Sequence, residues 1–210
     1  MKANSRSKCL IAVVLALTIA AIGCSAQWIN VALQDLPVLT QMALNIAGLV
    51  STLASGNQAS SADVAVVQNI SAQASRDLNL LQALYTEYKA NPNSATLLKI
   101  QNVISGLNQN LPALLESAHI SSAMLSARIT AAVNLILTTV NTFASLIPQT
   151  GIQKTGIQQK GVPRARAASS EKLQVSLPDA RDLRRQWNQQ VCAASGNAAF
   201  DHAFADCPLR

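Results

Sequence analysis

SADVAVVQNISAQASRDLNLLQALYTEYKANPN, residues 61–93, settles the fold class. Val67, Ile70, Ala74, Leu78, Leu81, Tyr85 and Tyr88 recur at alternating steps of three and four, the period that sets them on one face of an α-helix. Ser60 or Ser61 offers an N-cap, and Asp63 places a favourable charge in the first turn. Asn91-Pro92-Asn93 then stops the helix and turns the chain. An amphipathic helix of this length must bury its stripe on neighbours, and a short turn sends the next helix back antiparallel.

The flanking segments repeat the pattern. Upstream, from Trp28 to about Ala54, Ile29, Ala32, Leu36, Leu39, Ala43, Ile46, Val50 and Leu53 form a seam of the same period. Pro37 lies inside it, marking either a kink or the true start of the helix with Asp35 as cap. Downstream, Ser94 is the expected N-cap of a helix carrying Leu97, Ile100, Ile104, Leu107, Leu111, Leu114 and Ala118, which Pro112 should kink or split. A fourth helix, from about Ser122 to Ile147, carries Leu125, Ile129, Val133, Ile136, Val140, Phe143 and Ile147, and Pro148 terminates it. The expected fold is all-α: an up-down-up-down antiparallel four-helix bundle over residues 24–148, each helix ~35–40 Å long.

Composition agrees. Half of the residues are hydrophobic, 3% are aromatic and 12% are charged, so the core is aliphatic and the helix exteriors are Asn, Gln, Ser and Thr rather than Glu/Lys pairs. A surface so poor in charge reads either as a neutral exported exterior or as one partly covered by an envelope protein, a second copy or a membrane. Residues 36–54 and 129–147 lack or nearly lack charge. Polar residues such as Gln41, Asn45, Asn134 and Asn141 interrupt them, and the single apolar stripe suits a bundle core better than a membrane span.

Ahead of the bundle, residues 1–8 (MKANSRSK) are basic and residues 9–22 (CLIAVVLALTIAAI) are an uncharged apolar run. That run has the length of a secretory signal core and falls short of a bilayer span. Ala21-Ile22-Gly23-Cys24 follows. The segment resembles the lipobox signal of bacterial lipoproteins, with Ala21 standing where that family favours leucine. The resemblance covers about a tenth of the chain. It implies cleavage between Gly23 and Cys24, a lipid on the Cys24 thiol, and residues 1–23 as a lipoprotein signal peptide. Ser25 in place of Asp resembles the pattern sent to the outer membrane, facing the periplasm, in two-membrane bacteria. The alternative is cleavage before Gln27, which would release a soluble periplasmic or secreted protein. Loss of Lys2, Arg6 and Lys8 with the signal lowers the formal charge from +6 to +3.

The remaining charge is uneven. Residues 149–175 (with Lys154, Lys160, Arg164, Arg166 and Lys172) are a basic linker containing the near-repeat TGIQK/TGIQQK. It reads as a solvated tether or as a contact for an anionic surface. No aromatics interleave its charges, so nucleic acid is not an expected partner. Residues 176–210 are an expected helical hairpin. Pro178 stands in the first turn of a helix running to about Ala194, Ser195-Gly196-Asn197 makes the turn, and a return helix runs from Ala198 to Ala205. Leu183, Trp187 and Val191 share one face of the first helix, and Phe200 and Phe204 one face of the second. Cys9 leaves with the signal and Cys24 takes the lipid, so Cys192 and Cys207 are the expected disulfide in an oxidising compartment.

No catalytic constellation is legible. His119 is expected in the turn between helices three and four. His202 lies near Asp201, Asp206, Cys192 and Cys207, but the spacing matches no zinc motif. Asp35, Asp63 and Asp77 are expected near helix ends, capped or solvated. The expectation is a non-enzymatic structural or protein-interaction module without catalytic residues, metal or cofactor, bound to a membrane through Cys24 and pairing with an envelope protein or with itself. The alternatives are an exported bundle that holds a hydrophobic ligand, and a membrane-active, pore-forming helical protein.

Overall fold

The computed structural model describes residues 28–51, 60–117, 120, 122–147 and 178–210. The signal segment with Gly23 and Cys24, the basic linker and His119 lie outside the described residues.

Four long helices pack on one another: α1 over residues 28–51, α2 (Ser61–Ala90), α3 (Ser94–Ser117) and α4 (Ala123–Leu146). Neighbours run antiparallel. The Trp28 and Tyr85 rings meet edge to face at 5.5 Å, while farther along the same pair the Ser71 hydroxyl donates to the Ala43 carbonyl at 2.5 Å. Across the short turn into α3, Thr96 Oγ1 donates to Glu87 at 2.6 Å. Between α3 and α4, Asn108 and Asn141 exchange amide hydrogen bonds of 2.8 and 2.9 Å. The expected stripes form the core: Ile29, Ala32, Leu36, Leu39, Val67, Ile70, Leu78, Leu107, Ile129, Ile136 and Phe143 are all buried. At ~25 cal/mol per Å², this shared apolar burial is what holds helices with such neutral exteriors together.

Local chemistry sets the helix ends. Ser60 and Asp63 form a reciprocal capping box at the start of α2, at 3.1 and 3.2 Å. Ser122 caps α4 through Leu125 N–H. At α3, Ser94 is already helical and the cap is Asn93, whose carboxamide oxygen accepts from Thr96 N–H at 2.8 Å. The Asn-Pro-Asn turn thus supplies both the stop of one helix and the start of the next.

Neither internal proline divides its helix. Pro37 neither starts nor ends α1, and α3 runs through Pro112 without a break. Pro37 lies on the exposed side of its helix, where its ring meets solvent rather than the core. Asp35 is therefore no cap. It is a mid-helix residue that is 1% exposed. Asp77 is also far from either end of α2 and accepts a bond from Gln73.

By length and composition α4 alone, among the described residues, could cross a membrane, and half of its most apolar window is buried against the bundle.

Two short helices complete the described chain: α5 (Ala180–Gln190) and α6 (Ala198–Ala203). Asp179 caps α5 by accepting from Arg181 and Asp182 N–H, so Pro178 precedes the helix rather than opening it. Gln190, not Ala194, ends α5.

Candidate functional site: the clamped C-terminal cap

A buried arginine, a stacked pair of phenylalanines and a disulfide come together where α5 and α6 dock on the bundle. Leu183 and Trp187 on α5, with Val191 just beyond it, are fully buried. They stand at steps of four, one turn apart, so a single edge of the short helix supplies the contact with α4. Phe200 and Phe204 stack at 4.4 Å with their planes 18° apart.

Arg128 of α4 joins the two units. It is 8% exposed. Its guanidinium donates through Nη1 to the Val191 carbonyl and through Nη2 to the Ala193 carbonyl, in the loop that follows α5. The same group lies 5.0 Å from the Phe200 ring centre and 4.7 Å from that of Phe204, within cation–π range. A planar fork that donates in its plane while its faces meet aromatic rings uses properties lysine lacks. Burial pulls the Arg128 pKa below its ordinary value, and the Asp201 carboxylate opposes that pull.

Asp201 organises the loop from the other side. Its carboxylate accepts from the Ser195 N–H and hydroxyl, both at 2.7 Å, and from Gly196 N–H at 3.1 Å. These donors, the Ser195 hydroxyl first, hold its pKa below the usual carboxylate range. Gly196 has φ +81°, the left-handed conformation that favours glycine at this turn. Asn197 then caps α6 through Phe200 N–H.

The far end of the cap is closed covalently. Cys192 and Cys207 are disulfide-bonded, with Cα atoms 5.6 Å apart. Trp187 Nε1 donates to the Cys207 carbonyl at 3.1 Å. The Asn188 carboxamide bonds both the N–H and the C=O of Leu209. The expected disulfide is present, and these bonds join α5 to the segment that follows α6. The unit docks on the bundle through α4. His202 is exposed. Among the described residues no group of three His, Cys, Asp or Glu side chains comes together.

A second anomaly lies at the other end of α5. Neither carboxyl oxygen of buried Asp35 has a hydrogen-bond partner. Burial, then the negative charge of Asp179, pushes its pKa up to about 7. Asp179 itself is held low by the Asp182 and Arg181 N–H groups and by the Arg181 and Arg185 charges. The start of α5 therefore brings an ionised carboxylate to a buried one, and the pair is electrostatically compatible only while Asp35 is protonated.

Sequence reasoning overlooked both buried charges, yet each left a signal. Trp28, Ala32, Asp35, Leu39, Met42, Ile46 and Leu49 form a second unbroken run of steps of four and three, with the carboxylate inside it. Arg128 is the only charged residue of α4 and adjoins the Leu125–Ile129 stripe. A lone charge at a core position of an otherwise neutral helix implies a partner from elsewhere in the chain.

Among the described residues, the bundle surface adds two shallow grooves. One, of about 410 Å³, runs between α3 and α4 and is lined mainly by Gln101, Ser105, Asn108 and Gln109 over Ile104 and Ile147. The other, of about 370 Å³, lies between α2 and α3 beside Asn69, Gln73 and Asn110.

No protein-family model matches the chain, and neither a curated protein nor a solved structure is similar to it.

Proposed function

We propose that this chain is a non-enzymatic lipoprotein of the bacterial cell envelope, a structural or protein-interaction module held to a membrane by a lipid on Cys24. The observation that carries the second half of this reading is the clamped cap. The buried arginine, the Asp201 hub, the Asn188–Leu209 pairing and the disulfide all join one part of the chain to another. Such an arrangement holds a surface in shape. A disulfide beside a neutral, Asn- and Gln-rich exterior suits an oxidising compartment outside the cytoplasm. The first half rests on the basic start, the uncharged run and the Gly23-Cys24 junction. With Ser25 next in the chain, the outer membrane, periplasmic face, is the proposed address.

The test is the intact mass of the mature protein from membranes of its native host, beside a Cys24→Ala control. The expected mass is that of residues 24–210 plus acyl chains, with membrane retention lost in the control. A mass that begins at Gln27 without lipid would overturn the reading in favour of a soluble exported bundle.

A further inference from the structure

The two ends of α5 are fastened to the bundle in different ways. Toward its close, Trp187 and Val191 are buried, Arg128 holds the Val191 and Ala193 carbonyls, and the Cys192–Cys207 bond closes the loop beyond. The first turn lies outside that loop. It sets Leu183 in the core and brings the charge of Asp179 to Asp35 of α1. Asp35 is 1% exposed, and neither of its carboxyl oxygens meets a hydrogen-bond donor. A buried carboxylate is ordinarily paired or hydrogen-bonded; this one faces a like charge. The cations around it are engaged elsewhere. Arg128 of α4 serves the cap carbonyls, Arg76 of α2 bonds Gln73, Arg185 of α5 pairs with Asp182 at 2.5 Å, and Arg181 acts on Asp179. Lys89 of α2 is exposed, and no bond from half-buried Arg184 reaches Asp35. The acids of α2 are also held apart from it: Asp63 in its capping box, Asp77 by Gln73 and Glu87 by Thr96.

We propose that the first turn of α5 is a proton-controlled latch on α1, down while the Asp35 carboxyl is neutral and lifting as it ionises, with the Arg128 clamp holding the other end of the helix in place. With the turn down, an ionised Asp35 has neither water nor a donor and lies against Asp179. Lifting supplies water and separates the two charges. Of the pair it is Asp35 that takes the proton, because the Asp182 and Arg181 N–H groups keep Asp179 ionised. The lifted turn does not stay helical on its own: α5 has 11 residues, fewer than an isolated helix needs in water, so it frays from the Asp179 end. The sign follows from linkage. Asp35 titrates at about 7 under the closed turn and at the ordinary 3.8 in water, so opening grows by about tenfold per pH unit between those values and levels off above them. Leu183 and Asp35 are thus covered in acid and uncovered near neutral pH. The latch belongs to the folded body and does not depend on a lipid at Cys24.

The test is hydrogen–deuterium exchange of the mature full chain, disulfide intact, read by mass spectrometry at pH 5 and pH 8 with the intrinsic exchange rates divided out. Protection over residues 180–186 should fall by about tenfold or more between the two. At pH 8 it should lie at least about tenfold below that of α2, the mark of a turn that opens while the bundle stays folded. Tryptophan emission should not shift, because Trp28 and Trp187 stay buried when the first turn alone lifts. In Asp35→Asn, which keeps the shape and cannot ionise, residues 180–186 should stay protected at both pH values. Equal protection of the unsubstituted chain at pH 5 and pH 8, or a fall that survives Asp35→Asn, would overturn the latch. So would protection of residues 180–186 that matches that of α2 at pH 8, since the turn would then open only with the whole bundle, and so would a red shift of the emission, since the whole cap would be leaving.

Discussion

Arg128→Ala would leave the Val191 and Ala193 carbonyls without their donors and remove the cation beside the stacked Phe200 and Phe204 rings. Breaking a buried, hydrogen-bonded charge in this way costs ~2–4 kcal/mol. The expected result is a loss of that size in chemical denaturation, with a red shift of Trp187 emission as the cap loosens. Arg128→Lys should recover little of it, because the charge returns without the fork or the planar face. Asp35 predicts the opposite sign. Its native pKa, about 7, lies above the ordinary 3.8, so the folded state holds a proton that the unfolded chain has released. Its contribution is complete below pH 3.8 and is lost progressively as pH rises to about 7, a total of at most roughly 4 kcal/mol. Asp179, held low, works in reverse: its contribution is present above its ordinary pKa and fades as pH falls through its native value. α1 has no charge besides Asp35, and α5, whose cap is Asp179, carries Arg181, Asp182, Arg184 and Arg185. Asp35→Leu should therefore stabilise the protein by ~1–4 kcal/mol above pH 7 and flatten the slope of stability between pH 4 and 7. An unchanged slope in urea melts across that range would refute the assignment.

Pro112 separates helix propensity from helix packing. It lies inside an unbroken α3, where a missing N–H and a crowding ring cost ~3 kcal/mol. The buried stripe of Leu97, Ile100, Ile104, Leu107 and Leu111 keeps the helix whole against that cost. Pro112→Ala should then raise stability by ~1–2 kcal/mol, the helical gain being offset in part by a less restricted unfolded chain; a drop in midpoint temperature would show that the ring is needed for packing. The same competition explains what was legible in advance. Existence and direction of the four long helices followed from stripes in which every residue repeats the same instruction, so no single proline overrides it. The bounds of α2 were readable because Ser60 and Asp63 on one side and Asn91-Pro92-Asn93 on the other are strong local signals. The cap of α3 was misplaced by one residue because Asn93 and Ser94 are both good caps and only backbone geometry chooses between them. Stripes report which residues are inside. They are silent on what a lone inside charge meets when its partner, such as the Val191 carbonyl for Arg128, lies 63 residues away.

At the scale of the whole molecule, the covalent and non-covalent attachments of the cap act on different things. The disulfide closes residues 192–207 on themselves and contributes ~3 kcal/mol by restricting the unfolded loop. Arg128, Leu183, Trp187 and Val191 tie that loop to the bundle. While the sulfurs are bonded, the cap is a stiff body and its contacts are gained or lost together. Bundle and cap should then unfold in one transition. Reduction leaves the bundle core untouched, since no cysteine lies within the described residues of α1 to α4, but it lets the loop around Ala193 and Ser195 exchange conformations and dilutes the contacts with α4. In a Trp28→Phe background, Trp187 emission reports the cap and far-UV ellipticity reports the bundle. Under oxidising conditions the two denaturation curves should coincide. With reductant the Trp187 curve should shift to lower denaturant while the ellipticity curve stays nearly in place. Curves that still coincide after reduction would mean that the Arg128 clamp alone makes cap and bundle a single cooperative unit, with the disulfide adding stability but not coupling.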